Sequence, residues 1–90
     1  MPPTEAARGH KISPEVAFGR VLRELRRKRG VSQDELGARS GYHRTYISQL
    51  ERGEKSPSLR TLFNLAATLD VLPSKLVRAA ERALGIESPC

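Results

Sequence analysis

The sequence predicts an all-α fold of five helices around one core. Aromatic residues make up only 4% of the chain and apolar residues 38%, so the core must consist mainly of Leu, Val, Ile and Ala. β-Sheet proteins depend more on aromatic and β-branched residues. The apolar residues also recur at helical spacing, and no stretch alternates in the manner of a strand. A chain of 90 residues has room for one small domain.

The first predicted helix begins at Pro14, because Ser13 can cap it and proline suits the first helical position. It ends at Gly30, and its apolar stripe consists of Phe18, Val21, Leu22 and Leu25. Residues 1–13 show no periodic apolar pattern and are predicted to be a flexible arm. The domain is therefore expected over residues 14–85, followed by a short tail over residues 86–90.

Two short helices joined by a glycine-containing turn follow, and this pattern predicts a helix-turn-helix. The first has a capping box, in which the side chains of Ser32 and Glu35 each bond to the other residue's backbone N–H. It is expected to end at Gly41. The second is predicted over residues 44–52, with Gly53 as its stop.

Two further helices complete the predicted fold. Ser56 and Pro57 are expected to cap and begin the fourth helix, and Pro73 is expected to begin the fifth. Gly85 is the predicted C-cap of the fifth helix. The fourth has a broad apolar face typical of a central helix, formed by Leu59, Leu62, Phe63, Leu65, Ala66 and Leu69. The fifth has a stripe formed by Leu76, Val77, Ala80, Ala83 and Leu84.

The positive charge is concentrated on the first helix. The formal net charge is +6, and residues 14–30 hold six basic residues against two acidic ones. Such an excess points to an acidic partner, with nucleic acid first and an anionic membrane surface as the alternative. Residues 31–56 hold four residues of each sign. Any choice of DNA sequence by the helix-turn-helix therefore needs more than charge.

The helix predicted over 44–52 has one polar side and one apolar side. Ile47 and Leu50 face the apolar side and can pack on the domain. The polar side suits a reader of the DNA major groove, since Arg can bind guanine bidentately and the Thr methyl can contact thymine. That side carries Arg44, Thr45, Ser48, Gln49 and Arg52.

The run GVSQDELGARSGYHRTYISQLERGEKSPSLRTLFNLAATLDV resembles the Cro/C1-type, or XRE-like, helix-turn-helix family of transcriptional regulators. The resemblance covers about residues 16–84, and it implies a lambda-repressor-like fold. The segment RTYIS followed by ER is also similar to the small controller proteins of restriction–modification systems. The family resemblance implies sequence-specific binding of double-stranded DNA.

The resemblance also implies roles for individual residues. Arg44, Thr45 and Ser48 match positions that contact bases, with Gln49 at the edge of that surface. Gln33 matches a position that contacts a phosphate and supports the third helix, and a helix N-terminus favours anions. Contacts with the DNA backbone are further expected from His43, Tyr46, Arg52 and Lys55. Arg26 and Glu51 match a structural ion pair that joins the first helix to the third.

Two positions depart from the family pattern. Gly37 stands where alanine is usual, which predicts a second helix weakened by about 1 kcal/mol. His43 stands at the N-cap of the third helix, where Ser, Thr or Asp is commoner. A protonated His43 could add a phosphate contact.

A dimer is expected, because a single reader helix covers only a few base pairs. Residues 72–84 are the predicted dimer surface, and the operator is expected to be palindromic. Two alternatives remain open at this point. The first is a protein-interaction module of the same fold, such as an antitoxin or a coactivator-like bridge. The second is a basic amphipathic binder of membrane surfaces, although the apolar face of the first helix is needed for the core.

Enzymatic and metal-dependent functions are not expected. The chain has two histidines and one cysteine, Cys90, which is too few for a cysteine zinc site or a supported catalytic set. It has neither a nucleotide-binding glycine loop nor an apolar run of roughly 18 residues. No cofactor and no small-molecule ligand are expected. With a single cysteine and no secretory signal, a cytoplasmic, nucleoid-associated location is expected.

Overall fold

A computed structural model describes residues 12–86. Within that range every regular element is a helix, which confirms the predicted all-α class of five helices. The arm predicted over 1–13 and the tail predicted over 86–90, including Cys90, lie almost wholly outside the described residues. The helices are α1 (Pro14–Lys28), α2 (Gln33–Ser40), α3 (Arg44–Glu51), α4 (Leu59–Thr68) and α5 (Pro73–Ala83).

The starts of α1 and α2 are fixed by their caps, as predicted. The Ser13 hydroxyl accepts a hydrogen bond from the Val16 amide at 3.1 Å. At α2 the Ser32 hydroxyl accepts from the Glu35 amide at 3.0 Å, and the Glu35 carboxylate accepts from the Ser32 amide at 3.1 Å. The hydrogen bond from the Ser32 amide holds the pKa of Glu35 below its usual range.

The predicted start of α4 at Ser56 and Pro57 is wrong. Ser58 is the N-cap, since its hydroxyl accepts from the Thr61 amide at 3.0 Å and its carbonyl from the Leu62 amide. The two serines are equally good caps by residue type. Ser58 differs in that its hydroxyl also lies 3.0 Å from the buried Thr61 hydroxyl, a contact that the local sequence does not reveal.

At the end of the domain the C-cap of α5 lies one residue before the predicted C-cap, Gly85. The helix ends at Ala83, Leu84 is its C-cap, and Gly85 follows with a positive φ of 75°. The glycine therefore lies one position beyond the cap, where the left-handed conformation is common at helix ends.

The core lies among all five helices, but α4 is not buried along its whole apolar face as predicted. Leu65, Ala66 and Leu69 are buried, whereas Leu59 is 72% exposed and Phe63 is 53% exposed. The reason is that α4 packs mainly against α2 and α5, which leaves its opposite side uncovered. The rest of the buried apolar core comprises Ala17, Phe18, Leu22, Leu36, Ile47, Leu50 and Leu76.

Two glycines allow close packing around the helix-turn-helix. A Cβ atom on Gly19 of α1 would lie 2.6 Å from the Glu51 carbonyl oxygen, so α1 touches the backbone at the end of α3. A Cβ atom on Gly37 would lie 2.5 Å from the Tyr42 carbonyl oxygen. The glycine that lowers the helix propensity of α2 thus also lets the turn before α3 approach α2.

None of the helices within residues 12–86 is long and apolar enough to cross a membrane.

Candidate nucleic-acid interface

Helix α3 presents two chemically different sides. Ile47 and Leu50 are fully buried in the core. On the other side Arg44 and Thr45 are exposed and Ser48 is half-buried. Gln49, the fourth predicted base-contacting residue, is also half-buried. The helix therefore keeps one polar side accessible while its other side fixes it to the domain.

A buried ion pair anchors the C-terminal end of α3 to α1. The Arg26 Nε atom lies 2.6 Å from Glu51 Oε2, and Arg26 Nη2 donates to Glu51 Oε1 at 3.0 Å. Arg26 Nη1 donates to the Val31 carbonyl at 2.9 Å. The two side chains are 11% and 3% exposed, and the hydrogen bonds that Arg26 donates to the Glu51 carboxylate raise the pKa of Arg26.

Gln33 extends this anchor to α2. Its Nε2 atom donates to Glu51 Oε1 at 3.0 Å, so Gln33 supports the end of α3. An amide group has two N–H hydrogens, and this contact uses one of them. The second leaves Gln33 able to donate to a phosphate as well, a contact that stays a prediction.

His43 is the N-cap of α3. Its Nδ1 atom accepts a hydrogen bond from the Thr45 amide at 3.1 Å, which requires that this nitrogen carry no hydrogen. The neutral ring then has its hydrogen on Nε2. A phosphate contact from His43 would therefore come from Nε2–H of the capping ring, and protonation of Nδ1 would break the cap.

Arg44 is held only loosely by the rest of the protein. Its Nε atom lies 3.6 Å from Asp34 Oδ1, and the two side chains are 64% and 75% exposed. Exposed ion pairs of this kind contribute little to stability. Arg44 can therefore leave Asp34 for a base edge at small cost.

Arg52 has stronger partners within the protein. Its Nε atom lies 2.5 Å from Glu54 Oε2, its Nη2 atom donates to Glu54 Oε1 at 3.2 Å, and its Nη1 atom donates to the Ser48 hydroxyl. The hydrogen bonds between Arg52 and Glu54 raise the pKa of Arg52 and lower that of Glu54. Sequence reasoning missed Glu54, although a carboxylate two residues after an arginine was a visible signal. The predicted phosphate contact thus has a carboxylate beside it.

Tyr46 and Lys55 lie at opposite ends of α3. The Tyr46 hydroxyl donates to Thr61 Oγ1 at 3.4 Å, and its ring centroid is 5.2 Å from that of Tyr42. Lys55 is exposed in the loop that follows α3. Tyr46 therefore packs toward α4, whereas Lys55 is accessible beyond the C-terminal end of α3.

A second accessible surface, the apolar patch, lies on α4 and α5. It consists of Leu59, Phe63, Leu72 and Val77, which are 72%, 53%, 71% and 45% exposed. A groove of about 430 Å³ runs between the α4 and α5 residues of this patch and is also lined by Leu62 and Pro73. The predicted dimer surface over 72–84 includes half of the patch and omits the half on α4.

The described residues contain no group of three or more His, Cys, Asp or Glu side chains that could hold a metal ion.

Comparison with known proteins assigns the family. Residues 22–76, more than half of the chain, match the family model HTH_3, described as helix-turn-helix. The chain belongs to this helix-turn-helix family. Its members are DNA-binding transcriptional regulators and controller proteins rather than enzymes, which agrees with the Cro/C1-type resemblance seen in the sequence.

Individual relatives of this helix-turn-helix protein support the assignment. The regulator y4dJ of Sinorhizobium fredii is 44% identical over 59 residues, which are 66% of this chain and 77% of y4dJ. The restriction–modification controller C.AhdI of Aeromonas hydrophila has a similar structure, with a TM-score of 0.68 and 44% identity over 69% of this chain and 94% of C.AhdI. The biofilm regulator SinR, solved in complex with DNA, has a TM-score of 0.64 and 31% identity over 67% of this chain and 97% of SinR.

Several other regulators that match are longer proteins, and the aligned region spans only 34 to 46% of their length.

Proposed function

We propose that this helix-turn-helix protein is a homodimeric transcriptional regulator that binds a palindromic operator with α3 in the major groove. In this proposal the base contacts come from Arg44, Thr45, Ser48 and Gln49. The phosphate contacts come from Gln33, His43, Tyr46, Arg52 and Lys55. For Tyr46 this means that its hydroxyl hydrogen is donated to the phosphate in place of Thr61. The two half-sites lie about 34 Å apart, one helical turn of DNA.

The proposal depends on one observation. Helix α3 has an accessible polar side, and its opposite side and C-terminal end are fixed to the rest of the domain. Glu51 joins α3 to Arg26 and Gln33, and base recognition needs such a rigid support. Arg44 is the strongest candidate for a base contact, because it is exposed and only weakly held by Asp34. A guanidinium can bind guanine O6 and N7 together.

The apolar patch supports the dimer. Large exposed apolar residues on a small protein mark interaction sites, because water contact with them is unfavourable. The patch combines Leu59 and Phe63 of α4 with Val77 of α5 and Leu72 just before it. A symmetric contact between two such patches would bury both at once, and the patch shares no residue with the polar side of α3.

The test is selection of bound duplexes from a random pool, combined with sedimentation of the protein alone and with a selected duplex. The proposal expects one enriched palindromic motif and a protein dimer on each duplex. It also expects that binding weakens steeply with salt. Enrichment of single half-sites bound by a monomer would overturn the dimer and leave the apolar patch for a different protein partner. The absence of any enriched sequence would overturn the regulatory function.

A further inference from the structure

We infer that Thr61 is a positioning residue that holds the N-terminal end of α3 and thereby contributes to the choice of DNA sequence. Its link to DNA rests on the proposed function, whereas its link to α3 rests on contacts in the structure. Thr61 lies in the first turn of α4 and is 5% exposed. It is one of the few buried polar residues of the domain, and no predicted site includes it.

The Thr61 hydroxyl has three hydroxyl partners. The Tyr42 and Tyr46 hydroxyls donate to Thr61 Oγ1 at 3.1 and 3.4 Å. The Ser58 hydroxyl oxygen lies 3.0 Å from Thr61 Oγ1. A hydroxyl group offers two acceptor lone pairs and one hydrogen, so three partners use its full hydrogen-bonding capacity.

These partners come from three different elements. Tyr42 belongs to the turn between α2 and α3, Tyr46 to the first turn of α3, and Ser58 to the cap of α4. Asn64 Nδ2 also donates to the Tyr42 hydroxyl at 2.9 Å, so a second residue of α4 joins the network. The turn and the start of α3 are therefore both hydrogen-bonded to α4.

Thr61 thus supplies the second of two anchors for α3. The buried ion pair fixes the C-terminal end at Glu51, and the Thr61 network fixes the N-terminal end beside Arg44 and Thr45. A helix held at one end can still swing, whereas two separated anchors define its direction. Base contacts need placement within about 0.5 Å, while attraction to phosphate tolerates larger shifts. Loss of the second anchor should therefore weaken binding to a selected sequence more than binding to unrelated DNA.

The experiment compares four variants with the unmodified chain. Thr61→Val keeps the branched shape and removes the hydroxyl, and Thr61→Ser restores a hydroxyl. Thr68→Val is the matched control, because the Thr68 hydroxyl bonds only within α4, to the Asn64 carbonyl at 2.9 Å. Tyr42→Phe removes the two hydrogen bonds of the Tyr42 hydroxyl, with Thr61 and with Asn64, and serves if Thr61→Val does not fold.

The first readout needs no DNA and is independent of the proposed function. Backbone amide NMR shifts of α3 should change in Thr61→Val and return in Thr61→Ser, while Thr68→Val leaves them unchanged. If the α3 shifts of a folded Thr61→Val or Tyr42→Phe match those of the unmodified chain, the positioning role is wrong.

The second readout is the ratio of affinities for a selected duplex and a scrambled duplex of equal length. Thr61→Val removes all three contacts of the Thr61 hydroxyl. Since a single hydrogen bond is worth about two- to tenfold in an equilibrium constant, we expect this ratio to fall by at least about twofold per protomer. A merely structural role would lower both affinities equally through the folded fraction and keep the ratio constant, and that result would overturn the link to sequence choice. If the unmodified chain prefers no sequence, the proposed function fails, while the NMR readout still decides whether Thr61 positions α3.

Discussion

Helices α3 and α4 are both short and amphipathic, yet they leave opposite kinds of side chain accessible. Outside the core α3 presents Arg44 and Thr45, whereas α4 presents Leu59 and Phe63. A polar accessible side can bind a hydrated, charged ligand such as DNA, and an apolar one is stabilised by a contact that excludes water. The difference fits the proposed function, in which a single small domain carries two interaction surfaces, each suited to a different partner.

The largest effect is expected when the support behind α3 is removed. Glu51→Ala leaves the Arg26 guanidinium buried without its carboxylate and also removes the partner of Gln33. We expect a loss of roughly 3–5 kcal/mol in the free energy of unfolding, measured by chemical denaturation. Glu54→Ala breaks an exposed arginine pair and is the control, for which only a small change is expected. Equal losses in the two variants would contradict the anchoring role of Glu51.

The accessible side of α4 is tested by Phe63→Glu, which places a charge in the apolar patch. Since burial of a phenylalanine side chain is worth about 1.5–3 kcal/mol, we expect the dimer to dissociate at least tenfold more readily. Sedimentation across a range of protein concentrations measures this. Arg60→Glu is the control, because it also introduces a glutamate on α4 but lies outside the patch. A Phe63→Glu protein that dimerises as well as Arg60→Glu would exclude α4 from the interface.

The accessible side of α3 is tested by Arg44→Ala. Loss of a bidentate contact with guanine should reduce the affinity for a selected operator by about 1–3 kcal/mol per half-site and relax the preference at one base position. Competition binding with single-base variants of the operator measures both effects. Arg39→Ala, an exposed arginine of α2 that pairs with Glu35, is the control. An equal loss on operator and scrambled DNA would make Arg44 a phosphate contact instead.

The smallest effect concerns Glu54, whose carboxylate holds Arg52 beside the polar side of α3. Glu54→Gln removes a negative charge and weakens the hold on Arg52, so we expect binding to scrambled duplex to strengthen roughly two- to fivefold. Fluorescence anisotropy at two salt concentrations measures the change, which should shrink as salt rises. Glu81→Gln on α5 is the control. Affinities that match those of the control would show that Arg52 does not approach the DNA backbone.

Much of the fold was predictable because its signals are local. Ser13 with Pro14 and the capping box of Ser32 and Glu35 act within one helical turn, so they can be read without knowledge of the tertiary structure. The same holds for the two sides of α3, because helical periodicity alone separates Arg44 and Ser48 from Ile47 and Leu50.

The predictions that were wrong or missing concern features that depend on contacts between residues far apart in the sequence or on different helices. Ser56 and Ser58 are equivalent caps by type, and the contact of Ser58 with buried Thr61 distinguishes them. The periodicity of α4 could not show that Phe63 stays exposed, because exposure depends on which helices pack beside α4. Gly37 illustrates the same limit. Its lack of a side chain lets the Tyr42 backbone approach α2, and helix propensity alone does not show this.

Caps and helical periodicity are short-range properties, so the helical class, the helix-turn-helix and the residues on the accessible side of α3 could be read from the sequence. The anchors of α3 and the apolar patch depend on how the helices pack. The tertiary structure brought Gln33 to Glu51, Thr61 to two tyrosines, and Leu59 and Phe63 into one patch with Val77. Residues far apart in sequence become neighbours only when helices pack, and their hydrogen bonds and burial follow from that packing.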